Sequence, residues 1–355
     1  MSLSAEHPAP PPAAPLPRGV DTAALTAWLA RELPGAFPEG PRLSLIAGGR
    51  SNLTYRLTGG ERPMVLRRPP LGHVLSTAHD MSREYRVMSA LAGSAVPVPR
   101  MRAFCSDLAV LGAQFYVMDE VDGVVHRSAA ELAALDPAEG RALGLALADT
   151  LATLHTVDPG SVGLADFGRP EGFMARQVAR WRRQLAASRT RRLPGVTQLA
   201  ERLEAGLPTA PPPALVHGDY RLDNVMFAAR GTDRVAAVLD WEMATVGDPL
   251  ADLGMFCVYW DGLTGLGEAV PPAPGACPGW PDRAELVARY AARTGLPLDA
   301  LRWYVAFGFF KIAVILEGIH CRYAKGLTLG EGFEGIAAAV PELIRRGHAT
   351  FDGEH

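Results

Sequence analysis

From Leu215 to Leu239 three short apolar runs, Leu215-Val216, Val225-Met226-Phe227 and Ala237-Val238-Leu239, alternate with polar clusters. Apolar runs this short, bounded by turn-forming residues, predict strands rather than helical turns. The sequence around them predicts helices over 141–155, 172–187 and 196–207, and three more after Asp282. A small β segment is thus set inside a helical region, and its polar residues fall at strand ends. His217-Gly218-Asp219-Tyr220-Arg221-Leu222-Asp223-Asn224 follows the first run, and Asp240-Trp241-Glu242 follows the last. A charge at the end of a buried strand needs a partner or a task, because an unpaired buried charge is costly.

The N-terminal part has a different texture. Residues 1–18 are so rich in proline that regular hydrogen bonding is excluded, which predicts a disordered tail. Asp21 to Leu33 predicts a helix capped by Asp21, with Leu25, Trp28 and Leu29 on one face. Short β-like runs follow at 42–46, 53–57 and 64–66, separated by Gly-Gly pairs. A helix over 78–91 is stopped by Pro97-Val98-Pro99, and further strands are predicted around Phe104 and Phe115–Met118. The expected organisation is a tail (1–18), a β-rich lobe (19–118), a connector (119–123) and a larger, mainly helical lobe (124–355). Clefts between such lobes are common ligand sites.

Asp219, Asn224 and Asp240 offer one carboxylate that can accept the proton of a hydroxyl, and an amide plus a carboxylate that can hold Mg²⁺. Mg²⁺ takes hard oxygen ligands, only one or two of them from protein, with phosphates and water completing its shell. That set suits phosphoryl transfer. Arg221 can neutralise charge on a transferred phosphoryl group or pair with Asp223 or Asp240. His217 is read as bracing the loop. Asp248, before Pro249, suits a helix N-cap, and with Asp252 it is read as structural, bracing the same loop.

Four N-terminal features complete the pattern. Gly48-Gly49-Arg50-Ser51-Asn52 lies between two predicted strands, where glycines let a hairpin backbone approach phosphates and Ser51 and Asn52 offer donors. It lacks the G-x-x-x-x-G-K-[ST] spacing, so a Walker loop is disfavoured. Arg67, at a strand end, can pair with Glu84 on the next helix and hold phosphates; Arg68 is a second candidate. Met118-Asp119-Glu120-Val121 is an acidic connector whose Asp119 carbonyl and Val121 amide can serve an adenine.

In this order the parts resemble the aminoglycoside phosphotransferase/choline kinase family, relatives of protein kinases. HGDYRLDNV resembles its catalytic loop, LDWE at 239–242 its metal-binding motif, GGRSNLTY its nucleotide loop, Glu84 the glutamate of its N-lobe helix, and YVMDEVDG its hinge. The resemblance covers about residues 20 to 345. It implies an α+β, two-lobed protein kinase-like fold: a small antiparallel β N-lobe with one helix, and a larger mainly helical C-lobe. It also implies ATP as co-substrate, Mg²⁺, Asp219 as base, and Asn224 and Asp240 as metal ligands. Arg67 stands where the family usually has lysine, and its planar fork changes the phosphate contact. VLRRPP, AHDMSREYRV, ARQVARW and LVHGDYRLDNVMF resemble the kinase-like domains fused to some acyl-CoA dehydrogenases. That subgroup implies phosphorylation of a hydroxyacyl-CoA, although no dehydrogenase-like stretch accompanies the motifs here. An aminoglycoside or choline/ethanolamine-type acceptor, or a non-catalytic nucleotide-binding module, is the alternative.

Composition narrows the partners. A net charge of -3 gives no global basic field for nucleic acid. The interval 172–200 carries seven arginines and no acid, which would repel a polycationic acceptor and attract an anionic one; the alternative is a solvated amphipathic helix. The longest apolar run, Tyr304 to Leu316, is interrupted by Lys311 and reads as too short for a bilayer. Four cysteines with no C-x-x-C spacing predict reduced thiols and, with no signal peptide in the sequence, a cytoplasmic protein.

Overall fold

The structure, a computed structural model, describes residues 19–46, 52–71, 80–188, 190–229, 234–267, 270–327 and 335–354. The predicted tail and Gly48, Gly49 and Ser51 of the predicted nucleotide loop lie outside the described residues. The chain divides into two compact units. One takes in the described residues up to Tyr85 with Met101–Glu120; the other takes in Arg86–Arg100 with the described residues from Val121 onward.

The first unit is built on α1 (Thr22–Glu32), β1 (Arg42–Leu45), β2 (Leu53–Thr58), β3 (Met64–Arg68), α2 (Met81–Leu91, which runs past the division), β4 (Met101–Cys105), α3 (Leu108–Leu111) and β5 (Phe115–Asp119). Its five strands form one antiparallel sheet in the order β1-β2-β3-β5-β4. Asp21 caps α1 by accepting from the amides of Ala23 and Ala24, each at 3.0 Å. The helix then lays Leu25, Trp28 and Leu29 into a cluster with Tyr55, Leu57, Leu66, Phe115 and Val117. Trp28 meets Phe115 edge-on at 4.8 Å between ring centroids. Each such buried side chain contributes about 1.5–3 kcal/mol. The unit holds more than one helix: α3 is a single turn after Asp107, which caps Ala109, and it ends on Gly112 at φ 76°.

In the second unit come α4 (Ala129–Ala133), α5 (Pro137–Thr156), α6 (Phe173–Ser188), α7 (Val196–Ala205), β6 (Ala214–Val216), β7 (Val225–Phe227), β8 (Val235–Val238), β9 (Thr245–Gly247), α8 (Pro249–Cys257), α9 (Arg283–Thr294), α10 (Leu301–Ala324) and α11 (Ile336–Asp352). The four strands make two antiparallel pairs, β6 with β9 and β7 with β8, set among the helices. Arg86–Arg100 lies within the 19–118 stretch but belongs to this unit. Arg86 donates to the Gly163 carbonyl at 3.1 Å and pairs with Asp166, and the Val238 amide donates to the Pro97 carbonyl at 2.8 Å.

The apolar run at 304–316 needs a correction. It belongs to α10, whose 24 residues are long and apolar enough, by length and composition, to cross a membrane. The helix continues through two charged residues because both are buried with partners: Lys311 on the Gly218 carbonyl and Glu317 on Arg191. Of its most apolar window, 83% is buried, against α6, α7, α8 and α11. Its apolarity is that of a core helix.

Candidate active site

β6 ends at Val216 and delivers His217, which is fully buried. The His217 Nε2 lies 2.8 Å from the Leu239 carbonyl, and the Asp219 amide donates to Nδ1 at 3.3 Å. A carbonyl can only accept and an amide can only donate, so the ring is the Nε2–H tautomer with both nitrogens engaged. His217 therefore ties the loop to the end of β8. Gly218 takes φ 85°, and a Cβ there would meet the Met243 carbonyl oxygen at 2.7 Å, so the turn requires glycine.

Beneath the loop, Asp252 on α8 accepts from the amides of His217 (2.6 Å) and Gly218 (2.9 Å) and contacts His155 Nε2 at 3.4 Å. Burial alone would raise its carboxyl. The hydrogen bond and charge of His155 and the His217 amide outweigh that and hold it below the ordinary value. His155 Nδ1 meets the Tyr290 hydroxyl at 2.7 Å. Asp248 caps α8 through the Leu250 amide at 3.0 Å, with Pro249 in the first turn, and accepts from the Tyr304 hydroxyl at 2.6 Å. Lys311 reaches the Gly218 carbonyl at 3.1 Å, its ammonium 5.7 Å from the Trp181 ring. Burial lowers its pKa, and the charges of Asp219 and Asp252 work against that.

Above the loop, Asp219 is half-buried. Its Oδ1 accepts from the Tyr259 hydroxyl at 3.1 Å, its Oδ2 accepts from Asn224 Nδ2 at 3.1 Å, and Arg221 Nε lies 3.3 Å from the same Oδ2. A 3₁₀ turn over Leu222–Asn224 sets Asn224 back against the loop, where its Nδ2 also donates to the Asp219 main-chain carbonyl at 2.9 Å. With both bonds made by the nitrogen, the amide oxygen is the atom left for a hard cation. Asp240 follows β8 at φ 63° and ψ 59°, the one non-glycine residue at positive φ among the described residues. Strain of that kind concentrates at functional sites. The Leu239 amide donates to the Asn224 carbonyl at 2.8 Å, which ties the two metal-ligand candidates through the backbone. The oxygen donors present thus fit Mg²⁺.

Arg221 pairs with Asp223 at 3.1 Å as well as with Asp219, and its guanidinium lies 5.3 Å from the Tyr259 ring centroid. Burial disfavours its charge, but the two carboxylates outweigh that and raise its pKa. Beside it Phe256, Tyr259, Trp260 and three prolines form a small pocket, with Arg221, Asp223 and His126 as its polar groups.

In the first unit Glu84 is fully buried. Its Oε2 accepts from the Tyr116 hydroxyl at 2.6 Å and lies 3.5 Å from Arg67 Nε. Its Oε1 accepts from Asn52 Nδ2 at 3.3 Å. Arg67 and Glu84 are therefore paired, strand to helix. Asn52 departs from the expectation of a phosphate donor: its side chain is buried and its amide is turned to Glu84, because a buried carboxylate needs every donor near it. Arg68 is likewise committed, donating to the carbonyls of Gly19, Leu111 and Pro69. In the connector, Met118 sits in the sheet between Val65 and Met101. The Asp119 carboxylate accepts from Arg102 at 2.5 and 2.8 Å, and Val121 opens the second unit.

Three of the seven arginines of the arginine-rich interval are tied down. Arg176 donates to the carbonyls of Arg169 and Glu171, Arg182 pairs with Glu204, and Arg191 holds buried Glu317 at 2.9 Å. Exposed Arg180 lies over Trp181, and Arg189 is outside the described residues.

Sequence reasoning missed Tyr259 and Lys311. The one signal for Lys311 was a lone cation inside an apolar run. For Tyr259 no local signal exists.

Known proteins share this architecture. The family described as "Phosphotransferase enzyme family" matches residues 42–304. Acyl-CoA dehydrogenase family member 11 of Gallus gallus is 38% identical over 338 residues, covering 92% of this chain and 43% of the relative. This chain thus spans less than half the length of that relative. A crystal structure from Ralstonia eutropha, provisionally named an aminoglycoside phosphotransferase, is 35% identical with a TM-score of 0.82, over 94% of this chain and 98% of the other. A thermostable mutant of aminoglycoside phosphotransferase APH(4)-Ia, solved with ADP and hygromycin B, shares the fold at 16% identity and a TM-score of 0.59, over 92% and 98% of the two chains. The polar groups gathered at one loop, the antiparallel sheet with its helical companion, and these likenesses agree: the chain belongs to the phosphotransferase enzyme family and has the protein kinase-like fold of its small-molecule kinases.

Proposed function

We propose that this protein transfers the γ-phosphoryl group of ATP to a hydroxyl of a metabolite, and that the acceptor is a hydroxyacyl-CoA. The observation that carries the reading is Asp219, half-buried and fixed by Asn224 on one oxygen and Tyr259 on the other. Asp219 takes the acceptor proton as the acceptor oxygen bonds to the γ-phosphorus and ADP departs; such general-base help is worth about 10²–10⁴ in rate. Asn224 and Asp240 would hold Mg²⁺, which when bound neutralises charge on the phosphates. Arg67, oriented by Glu84, serves the nucleotide phosphates, and the backbone of Met118–Val121 serves the base. Arg221 is placed to meet negative charge on the transferred group.

The acceptor class rests on two observations. The pocket wall is aromatic and proline-rich, a surface that suits an acyl chain better than a heavily hydroxylated, multiply charged sugar. The sequence relatives are named as acyl-CoA dehydrogenases, so a CoA thioester is the chemistry with which this kind of domain travels. A cytoplasmic setting belongs to the same proposal, in keeping with four free cysteines.

The test is turnover of labelled ATP with a panel of hydroxyacyl-CoAs, beside kanamycin and choline. Phosphorylation of an acyl-CoA, abolished in Asp219→Ala, is the expected result. Equal turnover by that variant would remove Asp219 as base. Preference for kanamycin or choline would remove the acceptor, and Mg-dependent nucleotide binding with no transfer would mark a non-catalytic module.

A further inference from the structure

α8 does not end at Cys257 but continues into a π-helical turn over Val258–Gly262. Such turns are rare, and they cluster at functional sites because they re-aim a side chain that α-helical spacing would place elsewhere. Here Trp260 goes into the core, its Nε1 donating to the Pro281 carbonyl at 3.0 Å. Tyr259 is sent to the catalytic loop, where its hydroxyl meets Asp219 Oδ1 and its ring carries Arg221. Burial and the nearby Asp219 charge hold its pKa well above the ordinary phenol value, so it stays a donor.

A carboxylate accepts about four hydrogen bonds, two on each oxygen. At Asp219 the Oδ2 faces both Asn224 Nδ2 and Arg221 Nε, and the Oδ1 faces Tyr259. Each oxygen thus accepts one hydrogen bond, but Oδ2 is the one in the ion pair with Arg221, and Oδ1 lies outside that pair. Tyr259 and Arg221 also line one small pocket, so the residue that fixes Oδ1 borders open space beside the loop. We propose that Tyr259 is a positioning residue that turns Asp219 so that Oδ1 is the oxygen receiving the acceptor proton. This rests on the reading of Asp219 as base. Tyr259 makes no bond to the phosphoryl group; it acts through the carboxylate.

The substitution Tyr259→Phe keeps the ring under Arg221 and removes only the hydroxyl. Two measurements on the full chain test the idea. The first is Mg-ATP turnover with water as acceptor for wild type, Y259F, D219A and the double variant. Y259F is expected to lower kcat about 10- to 100-fold, the scale of a misplaced reacting group, with KM for ATP unchanged; adding it to D219A is expected to change nothing further. The second is a crystal structure of Y259F, in which the Asp219 carboxylate is expected to turn away from its wild-type orientation. An unmoved carboxylate, or a kcat loss as large in the D219A background as in wild type, would overturn the role of Tyr259. A D219A protein as active as wild type would instead overturn the base reading, whatever Y259F does.

Discussion

The loop that follows β6 has two sides, and they are built on opposite rules. Its underside is closed: Asp252 accepts two loop amides and contacts His155, and Lys311 meets the Gly218 carbonyl from below, all of them buried. Its upper side is more open: Asp219 and Arg221 are half-buried and share one ion pair, and Arg221 lines a small pocket. Both sides carry a carboxylate within a few residues of the same strands. One is spent on the backbone and cannot do chemistry; the other keeps accepting capacity and can. The division implies that stability is concentrated underneath and reactivity above, as expected when a polar network is either fully satisfied or deliberately left incomplete.

The largest expected effect probes the underside. Asp252→Ala leaves two buried amides and His155 without their acceptor, and removing one member of such a network costs about 3–5 kcal/mol. Urea unfolding would read this as a lower midpoint, whereas Asp219→Ala, which leaves Arg221 its pairing with Asp223 but takes the acceptor from the Tyr259 hydroxyl, should cost less, about 1–3 kcal/mol. Similar losses for the two variants would erase the distinction between the sides. The acid response sharpens it. The Asp252 carboxyl is held below its ordinary value of 3.8. Its stabilising contribution is therefore complete above that value and lost as pH falls through the lower folded value. Thermal unfolding followed below pH 4 should show a steeper fall in midpoint for wild type than for Asp252→Asn. Next in size is Lys311→Met, which keeps the packing and removes a donor from a buried carbonyl, at about 1–3 kcal/mol; hydrogen exchange at the loop amides should quicken while the β1–β5 sheet is unaffected. The smallest effect is expected on the surface of α11. Glu342, held down at about 2 by Arg345 and Arg346 on the α11 surface, should tolerate Glu342→Gln within about 0.5 kcal/mol in the same unfolding assay.

What could be read from sequence follows from how far apart the partners lie. Asp219, Arg221 and Asn224 fall within one short loop, so their association was visible as a motif. The pairing of Arg67 with Glu84 followed from strand-then-helix order, and the Asp21 and Asp248 caps from local chemistry. Tyr259 and Lys311 stand 40 and 93 residues from the groups they bond. Their side chains are aimed by a π turn and by the packing of a core helix, and neither leaves a periodic trace. Asn52 was misjudged for a related reason: a polar residue beside a Gly-Gly hairpin reads as exposed until the buried carboxylate that captures it is known. The length of α10 was missed because two buried charges with remote partners interrupt its apolar pattern.

The tie between Lys311 and Gly218 also bears on how the protein is made. Gly218 leaves the ribosome 93 residues ahead of its cation, and nascent chains generally fold unit by unit as they emerge. The loop can acquire His217 and Asp252 early, yet it lacks its ammonium support until the penultimate described helix has been synthesised and docked. A ribosome stalled before residue 311 thus carries a loop whose motif is all translated and whose Asp252 support is present but whose ammonium contact is still missing, so this buried tie forms late in translation.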